Sequence, residues 1–157
     1  MDIWKLINHF SKNANWGDPN KMAGTLLLAM DAIREYCNMP IVINCGYATS
    51  GHVTHSYHYK GMACDWHFES SNPKLSVPEF LSTHVKIVVD ALDDLQLDEF
   101  VGLGIYPYWH KPGFHLDVRG YRARWWRDGK GIYHPWSHLT ELTHAILSQH
   151  SAQNTTT

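Results

Sequence analysis

Residues 55–68 read HSYHYKGMACDWHF. The last eight, GMACDWHF (61–68), decide the fold. Side chains alternate faces along a strand, so Met62, Cys64, Trp66 and Phe68 share one side, and Ala63, Asp65 and His67 share the other. One side is apolar and belongs against a core, whereas the other carries ionisable groups. A carboxylate taken out of water needs a partner, so Asp65 demands an arginine, a backbone cap or a metal. The pattern returns in GFHLDVRG (113–120), with Phe114, Leu116 and Val118 on one face and His115, Asp117 and Arg119 on the other. If the two strands lie in one sheet, Asp65, His115 and Asp117 point the same way and line a cleft.

Working outward, IVINCG (41–46) reads as a buried β-branched strand ending in glycine, and FVGLGIYP (100–107) as a further strand. Helices are expected over 2–11, 21–38, 76–95 and 137–150 from apolar residues at helical spacing. Met39-Pro40 stops the second of these. Ser76 and Glu79 are spaced as a capping box at the start of the third, with Pro78 tolerated in its first turn. The stretch 47–60 is a polar, aromatic loop, 70–76 is a turn-rich connection, and the segment from 121 is rich in arginine and tryptophan. This order predicts an α+β fold with a mainly antiparallel sheet of about four strands flanked by helices. One domain over 1–150 is expected, followed by a disordered tail at 151–157.

The chain has 157 residues, 44% hydrophobic and 18% charged, which is enough to bury a core and unlike a disordered protein. A net charge of −2 gives no reason to expect nucleic acid as partner. The cysteines Cys37, Cys45 and Cys64 are odd in number and contain no CxxC pair, so free thiols are expected. No stretch is long and apolar enough to span a bilayer, and the N-terminus MDIWKLINHF lacks the features of a signal peptide. Synthesis as a soluble cytoplasmic protein is the expectation. The 12 histidines raise the prospect of a metal site, because imidazole is the commonest protein metal ligand.

His58 precedes Asp65 by seven residues, a spacing that suits a loop folding back over its own following strand, with Gly61 supplying the tight backbone. His58, Asp65 and His115 then form a nitrogen and oxygen donor set suited to one zinc ion. Three protein ligands leave a coordination position open, as catalytic zinc sites do. Such an ion acidifies water and polarises a carbonyl, chemistry that fits hydrolysis of an amide. Asp65 paired simply with Arg119 or Arg122 is the structural alternative. Cys64, facing away from Asp65, reads as a core thiol.

Ser56, His58, Gly61, Ala63 and Asp65 together fill the pattern SxHxxGxAxD, and GFHLDVRGYRARW follows downstream. In these two stretches the chain resembles the M15 peptidases: the zinc D-Ala-D-Ala carboxypeptidases and the related phage and bacterial murein peptidases. The resemblance covers about residues 22–127. It implies zinc held by His58, Asp65 and His115, the α+β fold shared with the hedgehog signalling domain, and a peptidoglycan stem peptide as substrate. Two positions depart from it. Many relatives carry an acid three residues before the last histidine, where this chain has Pro112. Many carry an arginine after the first strand, where this chain has Ala48.

With those groups missing, Asp117 becomes the candidate general base, or else a partner that orients His115. His52 and His55 are candidates to replace the arginine as donors. Ser56 is a loop hydrogen-bonder on the substrate side. Arg119 and Arg122 are candidates for gripping stem-peptide carboxylates, since arginine binds carboxylates bidentately. The expectation is therefore a monomeric zinc peptidase acting on the cell wall after release, in the manner of a phage or prophage lysin. The alternative is a zinc-bearing murein-binding module without turnover. A cytosolic enzyme for free D-amino dipeptides is a third reading.

Overall fold

The computed structural model describes residues 1–71 and 75–155. Six strands form one sheet among these residues: β1 (Ile41–Cys45), β2 (Ala63–Phe68), β3 (Gly102–Tyr106), β4 (Gly113–Asp117), β5 (Ala123–Arg127) and β6 (Tyr133–Pro135). Their spatial order is β1-β2-β4-β3-β5-β6. All neighbours are antiparallel except β3 and β5, which run parallel. The α+β class agrees with expectation, whereas the sheet is larger than four strands and mixed. The two extra strands come from the arginine- and tryptophan-rich segment.

The face bearing Ile43, Cys64, Trp66, Phe68, Leu103, Ile105, Phe114, Leu116 and Trp126 is fully or almost fully buried. Trp66 stacks on Phe114 with ring centroids 4.6 Å apart. Against this face pack α1 (Gly24–Cys37), through Leu26, Leu27, Met30 and Ile33, and α3 (Lys86–Asp94), through Val88, Ala91 and Leu92. Leu142 and Ile146 of α4 (Leu139–Asn154) join the same core. Burial of each large apolar side chain contributes roughly 1.5–3 kcal/mol, which is what fixes the sheet's inward face.

Helix α1 ends at Asn38, whose φ of 49° is left-handed and whose N–H caps the Arg34 and Glu35 carbonyls. The expected Ser76–Glu79 capping box is present and opens α2 (Val77–Glu79). The helix then widens to a π conformation over Phe80–Val85 before resuming as α3. The Ser82 and Thr83 hydroxyls both donate to the Glu79 carbonyl where the wide stretch begins.

Two further expectations are corrected. The helix expected over 2–11 is a single 3₁₀ turn at Ile3–Leu6. The N–H groups of Asn8 and His9 are not in a helix but donate to the buried Asp31 carboxylate, which ties the N-terminal segment to α1. The tail expected to be disordered is helical through Asn154, and Thr156 and Thr157 lie outside the described residues. No helix among the described residues is long and apolar enough to cross a membrane.

Candidate functional site

The sheet face opposite the helices carries the ionisable groups. Asp65 on β2 is paired directly across from His115 on β4, and Ala63 from Asp117. His58 arrives from the preceding loop, in a 3₁₀ turn spanning Tyr57–Lys60. Ser56 caps this turn, its Oγ accepting the His58 N–H at 3.2 Å. Gly61 closes it with a φ of 67°, and a Cβ there would lie 1.8 Å from the Lys21 carbonyl oxygen, so only glycine fits.

Three donor atoms converge. Asp65 Oδ1 lies 2.9 Å from His115 Nδ1 and 3.3 Å from His58 Nε2. The ligand atoms of His58, Asp65 and His115 all lie within 4.8 Å of one another, a group that can hold a metal ion. The remaining nitrogens are engaged behind the cluster. His58 Nδ1 donates to the Gly46 carbonyl at 2.8 Å, and His115 Nε2 meets Asp117 Oδ2 at 2.9 Å. Each imidazole therefore turns one defined nitrogen to the front, as metal-binding histidines do when a second group fixes the ring.

Asp117 is completely buried. Arg119 grips it bidentately, Nε to Oδ1 and one terminal nitrogen to Oδ2, each at 2.7 Å. Both its oxygens are thus occupied, and it does not line the cleft. Two roles are expected for it, general base or partner of His115, and its position is beside His115 and off the cleft lining. Gly102 makes room for the pair, since a Cβ there would lie 2.6 Å from Asp117 Oδ2 and 2.7 Å from Arg119 Nε. Arg119 also packs against the rings of Tyr57, Tyr121 and Trp125.

The electrostatics follow from these contacts. Burial would raise the Asp65 carboxyl, but the hydrogen bonds from His115 and His58 outweigh it and hold the group well below the usual carboxylate range. Burial likewise opposes charge on His58, yet Asp65, Cys45 and the Gly46 carbonyl together bring it up to about 10. Arg119 and His115 overcome burial at Asp117 and hold it at about 2. An anionic oxygen shared by two imidazoles is a place where protons and a divalent cation compete, and the donor set fits such a cation.

The cluster lines a cleft of about 640 Å³. Much of the remaining lining is aromatic: Tyr106 stacks on Trp109 at 4.1 Å and accepts the Trp125 indole N–H at 3.1 Å. Trp125 in turn lies 5.2 Å from the His115 ring. His52, His55, Ser56 and Arg119 line the cleft as well. The His52 ring stacks on His58 with centroids 4.0 Å apart, and its Nε2 lies 3.6 Å from Cys45 Sγ. Cys45, His52 and His58 form a second set of converging donors, although the Gly46 carbonyl already holds His58 Nδ1.

Arg122 is elsewhere. It pairs with Asp98 at 2.9 Å and donates to the Ser137 carbonyl, away from the cleft, which corrects its expected part in substrate binding. Asp65 pairs with neither arginine. Sequence reasoning passed over Trp125, Arg127, Tyr106, Trp109 and Tyr133 as cleft residues. Alternation from Trp125 to Arg127 would have found two of them, had the segment been read as a strand.

Comparison of the chain with protein-family models, curated proteins and solved structures finds no match in any of the three.

Proposed function

We propose that this chain is a zinc-dependent peptidase that hydrolyses an amide bond in peptidoglycan stem peptides or cross-links. The observation that carries the reading is the convergence of His58 Nε2, Asp65 Oδ1 and His115 Nδ1 in a cleft of about 640 Å³. The zinc identity rests on the nitrogen and oxygen donors and on the resemblance of the SxHxxGxAxD stretch. Zinc held there would supply Lewis-acid polarisation of the scissile carbonyl and a water of pKa near roughly 7.

The chain's own residues supply the rest. Asp117, fixed by Arg119, holds the His115 ring so that Nδ1 faces the cluster. The Gly46 carbonyl does the same for His58 through Nδ1. The aromatic wall of Tyr106, Trp109 and Trp125 gives the substrate an apolar surface and excludes water from one side. Proton transfer to the leaving amine falls to His52 or His55, the histidines lining the cleft that are not ligands.

One observation favours a second reading. Among the described residues Asp65 is the only acid lining the cleft, and in this reading it is a ligand, so none of them offers a further carboxylate as a base. A murein-binding module that keeps zinc without turning over has this composition. Digestion of purified murein by protein of known zinc content, followed by mass spectrometry of the released muropeptides, separates the two. Release that disappears in His115→Ala supports the peptidase and also names the bond cut. Zinc retention and murein binding without release supports the module.

A further inference from the structure

The stretch from Arg119 to Arg127 holds four arginines, and three of them have a carboxylate partner. Arg119 pairs with Asp117, and Arg122 and Arg124 both pair with Asp98. Arg127 has no ion pair among the described residues, and its Nε is buried without a hydrogen-bond partner. The acid next to it is already used: Asp128 accepts the Lys130 and Ile132 N–H groups and pairs with His134. Arg127 nonetheless lines the main cleft, and it also lines a smaller polar hollow of about 230 Å³ shared with Lys130 and Gly131. Gly131 leaves space for it, since a Cβ there would come within 2.9 Å of a terminal guanidinium nitrogen. Its side chain packs beside Tyr133, its partner across β6. A cation held in a walled position without a counter-charge is built to receive one from outside.

The sheet register gives the distance. His115 is level with Gly104, which is level with Trp125. Arg127 is two residues further along β5, so the two Cα atoms are roughly 12 Å apart by ordinary strand spacings. With its guanidinium beside Gly131 and Tyr133, Arg127 would meet an anion at least two or three extended residues from a bond held at the cluster.

We infer that Arg127 is a specificity-determining residue that captures a substrate carboxylate two to three residues from the bond cut. The inference rests on the peptidase reading and deepens it. A terminal residue's own carboxylate, one residue from its amide, falls short of Arg127. The site therefore favours cutting within a peptide over trimming a single terminal residue.

The test uses the zinc-loaded full chain and murein stem peptides in two forms, with carboxylates free or converted to carboxamides. Binding is read from quenching of the cleft tryptophans Trp109 and Trp125 immediately after mixing, and product by mass spectrometry afterwards. The wild type should bind the carboxylate form at least about 10-fold more tightly, the scale of a hydrogen bond to a charged group. Arg127→Gln should bring the two forms within about twofold, and Arg127→Lys should restore part of the preference. Acetylated D-Ala-D-Ala should be bound equally by the wild type and Arg127→Gln.

Equal binding of both forms by the wild type overturns the inference without reference to any variant. So does a preference that persists in Arg127→Gln, or binding of neither form. Preferential binding with no product leaves Arg127 in place and removes the peptidase reading. Product without preference does the reverse.

Discussion

Gly104 sits directly across the ladder from His115, and its missing side chain is what admits Trp125 to the cluster. A Cβ at Gly104 would lie 2.5 Å from the Trp125 indole nitrogen and 2.9 Å from the Tyr106 ring. Gly102, two residues earlier, does the same for the Asp117–Arg119 pair. The middle of the sheet is therefore bare backbone over which neighbouring side chains lie flat.

Gly104→Ala should displace the Trp125 indole and break its hydrogen bond to Tyr106. The expected cost is about 1–3 kcal/mol, typical of adding a methyl to a filled site. Denaturant melts give the stability, and tryptophan fluorescence reports the ring. An unchanged spectrum and melt would show that Trp125 has room to spare.

Asp117→Asn should weaken the grip on Arg119 and leave that half-buried, cleft-lining guanidinium without its counter-charge, a loss of about 1.5–3 kcal/mol. Because His115 also loses its anchor, metal affinity should fall roughly 10–100-fold even though no ligand is altered. A competitive chelator titration measures this. Retained affinity would remove the orienting role given to Asp117.

Zinc should raise thermal stability, because the three ligands come from separate parts of the chain and converge only when it is folded. At 100 times the dissociation constant the gain is about 2.7 kcal/mol, or roughly 5–10 °C in Tm for a chain of this size. His58→Ala and His115→Ala should melt at the same temperature with zinc as with chelator. A zinc-dependent shift that persists in both would place the ion elsewhere.

His84 provides a pH-dependent element away from the cleft. It is buried against Phe68, its ring nitrogens meeting the Ser70 and Ser71 hydroxyls. Burial lowers its pKa from 6.5 to about 4. The unfolded chain then binds this proton below pH 6.5, while the folded chain does not until about pH 4. The stability contributed by the neutral ring is full above pH 6.5 and is lost as pH falls toward 4, by up to about 3 kcal/mol. His84→Gln should flatten that part of the stability-against-pH curve relative to the wild type. Parallel curves would show that the ring titrates normally.

The strands β2 and β4 were legible because their residues alternate cleanly, and that alternation alone brings Asp65 and His115 to one face. The loop position of His58 was legible from Gly61, which only a tight left-handed turn requires. The segment ARWWR was not read as a strand because its inward face carries an arginine. Arg124 is buried beside Trp126, where its guanidinium donates to the Val101 and Asp98 carbonyls as well as to the Asp98 carboxylate. No period-2 rule anticipates a cation satisfied by main-chain oxygens. β6 has three residues and ends in proline, too short to stand out. At the N-terminus the apolar spacing was helical, but Asp31 claims the backbone donors that a helix would need.

The parallel seam between β3 and β5 has a consequence for truncated forms. All three candidate ligands lie before Ala123, so a fragment stopping there would keep the ion cage but strip one side of β3 of its partner. Gly102–Tyr106 would then present an unpaired row of amides and carbonyls, with glycine at two of its five positions, to any other chain in solution. Such a fragment should self-associate by strand addition, visible as concentration-dependent light scattering.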